Sequence, residues 1–329
     1  MDWPRSEFPI PKRCKVGKKI LFLVGPTGSG KTELALCLAR RLGAEIVSAD
    51  SMLVYRGMEI GTAKPAAAER RKIRHHLLDL VSPRSNFSVS QHRRLALRAT
   101  REILKRGRLP LVVGGGGLYV AALWKGISPH PGGSSKIRER LQREAKKKGT
   151  AHLYERLQKI DPQRAEKIHP RDERRIVRAL EIVEISGKTP SEWYRKKESL
   201  EDLGFLVRAY GITRDREDLY RRINRRVERM LGKGWIAEVK RLRKKGFSKT
   251  AREALGYREI LEYLGKGEVP AQKPLLQRLI QQRTRQFAKR QLTWFRREKE
   301  IQWISWEPGE SASKVCDKII TESRSWLNA

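Results

Sequence analysis

Val24-Gly25-Pro26-Thr27-Gly28-Ser29-Gly30-Lys31-Thr32 is the stretch from which the rest of the chain is read. A glycine, four residues and then Gly-Lys-Thr is the spacing of a phosphate-binding loop. It stands where such a loop must stand, after the apolar run Ile20-Leu21-Phe22-Leu23-Val24 and before a helical pattern over 32–42. An incidental Gly/Ser turn would need neither neighbour. Three glycines let successive backbone N–H groups turn inward around a polyphosphate, and the helix that follows adds its positive N-terminal end. Gly25, Pro26, Thr27, Gly28, Ser29, Gly30, Lys31 and Thr32 are therefore the expected diphosphate or nucleotide site, with Lys31 on the outer phosphate oxygens and the Thr32 hydroxyl on a phosphate-bound Mg²⁺. The loop alone leaves open which phosphate compound it holds and whether a phosphoryl group moves.

Outward from the loop, 45–48, 109–113 and 205–212 read as further buried strands and 301–304 as a final one. The expected fold class is α/β, a P-loop NTPase-like parallel sheet core flanked by helices with an inserted all-helical domain. The core takes 20–126 and 205–329, and the insertion takes 127–204, where the pattern turns helical and strongly charged and apolar residues return at Ile176, Leu180 and Val183. Residues 1–19 read as a loose basic lead-in. After the insertion, helices are expected over 215–231, 235–245, 254–264 and 273–297.

Asp50 follows the end of the second strand, and in an open parallel sheet ligands gather at the carboxyl ends of strands, so this carboxylate is expected to face the phosphate loop. The long loop over 52–65, with a Lys before a Pro, is a further functional candidate. His75-His76 invites a metal reading, but adjacent histidines in a strand point to opposite faces and chelate poorly. Gly114-Gly115-Gly116-Gly117 at a strand end permits close backbone approach to a ligand.

Lys plus Arg number 73 against 37 Asp plus Glu in 329 residues, a formal net charge of +36. That points to a polyanionic partner, nucleic acid first. Bases and aromatics interleave over 284–296, as in surfaces that stack and clamp nucleic acid; a helix with core-facing Phe and Trp would give the same pattern. Cys14, Cys37 and Cys316 suggest neither a disulfide framework nor a zinc module, and Cys37 reads as a small apolar residue on the first helix. No apolar run approaches transmembrane length, so a cytoplasmic protein with no membrane partner is expected.

In combination these stretches resemble the bacterial tRNA dimethylallyltransferases, also called tRNA isopentenyltransferases, from Leu21 to about Trp303. The resemblance rests on the phosphate loop, Ser48-Ala49-Asp50-Ser51-Met52 through Gly61-Thr62-Ala63-Lys64-Pro65, His75-His76-Leu77-Leu78-Asp79 and the glycine loop up to Tyr119. Arg175-Ile176-Val177-Arg178-Ala179-Leu180-Glu181, Gly256-Tyr257-Arg258 and Lys289-Arg290-Gln291-Leu292-Thr293-Trp294 follow in family order. It implies transfer of a dimethylallyl group from dimethylallyl diphosphate to N6 of the adenosine 3′ of the anticodon, position 37, in the anticodon stem-loop of a tRNA held between core and insertion, by a monomer.

On the same resemblance Asp50 is the general base, while Lys31, Thr32 with its Mg²⁺, and Arg222 serve the diphosphate. Asp50, Ser51, Met52, Leu53, Gly116, Arg138, Val177, Arg178, Ala179, Leu180, Glu181, Glu253, Ala254, Leu255, Gly256, Tyr257, Arg258, Lys289, Arg290, Gln291, Leu292, Thr293, Trp294, Phe295 and Arg296 would contact tRNA. There are departures: Gly116 stands where the family usually carries Thr, Leu53 where many members carry Gln, and Gly28 where most carry Ala. The alternatives are a prenyltransferase acting on free adenine nucleotides, which would not need the basic insertion, a P-loop small-molecule kinase, and a non-catalytic RNA-binding module.

Overall fold

The computed structural model describes residues 18–128, 131–194 and 197–328. Cys14 and all of the lead-in but Lys18 and Lys19 lie outside the described residues. Six strands, β1 Lys19–Val24, β2 Ala44–Ser48, β3 His75–His76, β4 Leu109–Gly114, β5 Leu206–Thr213 and β6 Ile301–Ser305, form one sheet in the order β3-β2-β4-β1-β5-β6. Every pairing is parallel. All residues of β1 and β2 are buried, the pattern of strands covered on both faces.

One face is covered by the helix Lys31–Leu42 packed on the C-terminal helix Ala312–Asn328. Val89–Lys105 lies over β2 and β4 and packs on Gly117–Trp124. Leu34, Leu38, Ile46, Leu111, Ile212, Val315 and Ile319 make the core under the first pair, each side chain contributing about 1.5 to 3 kcal/mol by burial. A second core gathers Val54, Tyr55 and Met58 from the long loop with Trp235, Tyr257, Ile260 and Ile280 from the helices Trp235–Lys245, Tyr257–Gly265 and Lys273–Phe295.

The chain divides into two compact units, one of Lys125–Leu203 and one of the described residues on either side of it. The smaller unit is helical: Ser135–Lys148, Thr150–Ile160 and Glu173–Ser186 enclose Leu141, Leu153, Leu157, Ile176 and Leu180.

The strand that carries His75-His76 is two residues long, because Leu77 and Asp79 take positive φ (66° and 54°) and turn the chain off the ladder. One local expectation is corrected. The helix expected over 254–264 starts at Tyr257, because Gly256 sits at φ 83°.

Candidate active site

The loops after β1, β2 and β4 are neighbours because those strands are, and they meet in a cleft of about 1290 Å³. Its lining includes Thr27, Gly28, Lys31, Thr32, Asp50, Gly115, Gly116, Arg222, Arg226, Arg258 and Gln291. The sequence-expected base and phosphate loop therefore share one cavity.

The phosphate loop is held by its outward-turned groups. Lys31 Nζ donates to Pro26 O (2.6 Å), Arg222 Nε to Gly28 O (3.1 Å) and Arg214 Nε to Ser29 O (2.8 Å), while Gln291 Oε1 accepts from Thr27 N (2.8 Å). With those groups tied back, the amides of Gly28, Gly30, Lys31 and Thr32 have no partner among the described residues. They open the N-terminus of the helix Lys31–Leu42, where an anion is favoured. Gly30 is required twice over: its φ is 97°, and a Cβ there would lie 2.7 Å from the Trp306 ring.

Burial in the cleft pulls the Lys31 ammonium down to about 7, with Arg226 adding to the fall and Asp50 opposing it. Burial likewise lowers Arg226, again against Asp50. Asp50 lines the same cleft two residues beyond the end of β2; its Oδ1 accepts from Met52 N at 2.7 Å, and Oδ2 has no hydrogen bond among the described residues. Tyr119 is driven up to about 12 by burial, by Tyr55 and by Asp50, and stays neutral. Thr32 is exposed, and its hydroxyl has no hydrogen-bond partner among the described residues. Among those residues no group of three His, Cys, Asp or Glu could hold a metal. His75 and His76 are engaged singly, with Ile73 O and with Glu45, both at 2.7 Å.

Arg226 was missed in the sequence, although a signal existed: it stands one helical turn after Arg222 on the helix Arg216–Gly232. Glu238 was missed as well. Its buried carboxylate accepts from the amides of Glu59, Ile60 and Gly61 (3.0, 2.8 and 3.4 Å) and from the Tyr257 hydroxyl (2.6 Å), fixing the loop that carries Thr62, Ala63 and Pro65 to the cleft. Buried Glu259 accepts from Arg258 (3.0 Å) and Arg283 (2.9 Å) and aligns both guanidinium groups on the cleft wall.

The expected RNA contacts fall into two sets. Ser51, Met52, Leu53, Gly116, Glu253, Leu255, Arg258 and Arg290 line the cleft, and Lys289 and Thr293 on the helix Lys273–Phe295 and Arg296 just past its end are exposed. Trp294 and Leu292 are half-buried; Trp294 packs over Gly117, where a Cβ would meet it at 2.4 Å.

The remaining expected contacts, Arg138 and Arg178 apart, are buried, with Ala254, Tyr257 and Gln291 at the cleft wall. Val177, Ala179, Leu180 and Glu181 lie inside the helical unit, where the Glu181 carboxylate pairs with Arg138 (3.0 Å) and Arg178 (2.7 Å), so of the contacts expected in this unit only those two arginines are partly exposed. Phe295 is fully buried, and Tyr257 is buried with its hydroxyl spent on Glu238. Ala254 and Gly256 are buried beside it, and a Cβ on Gly256 would strike Trp235 at 2.0 Å. Gln291 is buried, and both ends of its amide are occupied, by Thr27 N and by Gly115 O (2.7 Å).

Residues 53–298 match the family model described as IPP transferase. The chain belongs to the IPP transferase family. The matched region begins after the phosphate loop and Asp50. The chain is 45% identical over 314 residues to the tRNA dimethylallyltransferase of Carboxydothermus hydrogenoformans, covering 94% of this chain and 98% of that one. It is also 45% identical over 294 residues to that of Geobacter metallireducens, covering 89% and 94%. Among solved structures, the full-length tRNA isopentenylpyrophosphate transferase of Bacillus halodurans superposes with a TM-score of 0.69 at 37% identity, covering 94% of this chain and 97% of that one. A eukaryotic dimethylallyltransferase solved acting on tRNA gives 0.79 at 27% identity, covering 94% and 80%.

Proposed function

We propose that the protein transfers a dimethylallyl group from dimethylallyl diphosphate to N6 of adenosine 37, 3′ of the anticodon in tRNA, releasing diphosphate. The observation that carries the reading is one cleft in which a carboxylate, Asp50, faces a loop whose free amides, Lys31 and Arg222 suit a diphosphate. The names of its relatives support the two substrates.

In the reaction the N6 lone pair attacks C1 of the prenyl group, the C1–O bond breaks, and the bonding electrons leave with diphosphate. An exocyclic amine is a weak nucleophile, and Asp50 takes the proton it sheds. The loop amides, Lys31 and Arg222 stabilise the charge that grows on the leaving oxygen. No phosphoryl group moves. Thr32 and the phosphate oxygens are hard oxygen donors that fit Mg²⁺, which keeps few protein ligands in such sites and would neutralise diphosphate charge.

The adenine must leave its stack to reach Asp50, at least cost in a single-stranded loop. Arg258, Lys289, Arg290 and Arg296 in the core unit, and Arg138 and Arg178 in the helical unit, are the proposed backbone contacts, and the +36 charge supports a nucleic-acid substrate over a free nucleotide. The working form in this reading is a cytoplasmic monomer. The test is incubation with Mg²⁺, radiolabelled dimethylallyl diphosphate and either an unmodified anticodon stem-loop or AMP. Label in the RNA is expected; label in AMP, or in neither, overturns the reading.

A further inference from the structure

The Ser48 carbonyl lies at the top of β2, two residues before Asp50, and the sheet does not pair it. Ile46 N donates to Arg74 O, so Ile46 and, two residues on, Ser48 face toward β3. But β3 is only His75–His76, and Leu77 at φ 66° turns the chain away before it can supply a partner. The vacancy in the ladder is filled by a side chain from elsewhere. His92, on the helix Val89–Lys105, is fully buried, and its Nε2 lies 2.8 Å from Ser48 O. A carbonyl only accepts, so the imidazole carries its proton on Nε2 and donates.

The ring is fixed from its sides. Tyr119 meets it edge-on at 4.8 Å and Phe87 at 6.4 Å. Nδ1 has no partner, so Ser48 is the ring's one hydrogen-bonding purpose among the described residues. Burial lowers the imidazole pKa and keeps it neutral, consistent with a single N–H. On the other side of β2, Ala49 N donates to Val113 O at 2.8 Å. The backbone just before Asp50 is thus pinned from both sides, by β4 and by His92.

We infer that His92 is a positioning residue for the general base: by supplying the missing ladder hydrogen bond at Ser48 it sets the register of the strand end from which Asp50 reaches the adenine amine. The inference rests on the proposed role of Asp50. It touches neither substrate nor diphosphate, so its loss acts on turnover and not on binding.

The experiment is a double-mutant cycle read by single-turnover prenyl transfer to the stem-loop. His92→Leu removes the donor at similar volume, and displacing the base by a fraction of an ångström is expected to slow transfer about 10- to 100-fold. Affinities for RNA and inorganic diphosphate should stay within about twofold, because those contacts are unchanged. His92→Gln, whose amide reaches the Nε2 position, should restore most of the rate; His92→Asn, which reaches only the Nδ1 position, should not. In an Asp50→Asn background, His92→Leu should cost nothing further. An equal loss in both backgrounds, a full rate in His92→Leu, or a loss of RNA or diphosphate binding would each overturn the inference. If His92→Leu does not fold, the Gln and Asn variants carry the same comparison. Wild-type transfer to the RNA is measured in the same series, so a failure of the proposed reaction is seen separately.

Discussion

Replacing Gln291 by Met keeps its length and nearly its volume and removes only the amide. The structure then leaves two backbone groups without partners, the Thr27 N–H at 2.8 Å and the Gly115 carbonyl at 2.7 Å. An unsatisfied buried group costs about 1 to 3 kcal/mol. Gly115 is buried and pays in full, whereas Thr27 is half-buried and recovers part of its loss from water. The expected destabilisation is therefore about 2 to 4 kcal/mol by the same measure, read as a shift of the urea midpoint. Because Gln291 joins the phosphate loop to the glycine loop, the loop also loses its preset shape. If about 1.4 kcal/mol of the loss falls on the diphosphate site, inorganic diphosphate binds about tenfold more weakly. Stem-loop affinity should hardly change. A Gln291→Met protein that matches wild type in both stability and diphosphate affinity would refute the reasoning, and a loss confined to RNA affinity would return Gln291 to the RNA surface.

Lys31 gives a pH signature. With its pKa at about 7 in the unliganded cleft, it is mostly neutral at pH 8, so diphosphate binding should draw in about one proton that Lys31→Arg, always charged, does not take up. Calorimetry in buffers of different ionisation enthalpy measures the difference, and equal uptake in both proteins would contradict it. From pH 7 to 10.5 the unfolded chain holds a proton that the folded one lacks, so this site's contribution to stability rises with pH across that window. Arg258→Ala and Lys289→Ala should each weaken stem-loop binding and reduce the slope of log K against log salt by about 0.7 to 0.9, one phosphate contact apiece; an unchanged slope removes them from the RNA. Gly116→Thr should cost about 1 to 3 kcal/mol of stability, since its Cβ would lie 3.3 Å from the backbone oxygen of Ala49, which must give slightly, and should raise or preserve RNA affinity; a loss of RNA affinity in the folded variant would count against a contact there.

What could be read from the sequence was what is local. The phosphate loop, the first helix and the strand that leads to Asp50 are written in contiguous spacing, and the sheet follows from its apolar runs. The braces were not legible. Arg214 meets Ser29 across 185 residues and Gln291 meets Thr27 across 264, and nothing near either residue announces its partner. Glu238 and His92 look like ordinary surface and helix residues until the fold buries them against unpaired backbone. The block over 289–296 reads as one basic-aromatic motif, yet the 3.6-residue period splits it, sending Gln291 and Phe295 inward and Lys289, Arg290, Thr293 and Arg296 outward. Family order gives the members of a motif, and only the helix face gives their work.

The single-turnover rate of dimethylallyl transfer to the anticodon stem-loop by Asp50→Asn, at saturating RNA and donor, bears most directly on the cleft as an active site. A fall of about 10²-fold or more with stem-loop affinity retained is the expected result, as for removal of a general base. An unchanged rate would contradict it and leave the adenine amine to be deprotonated by some other group.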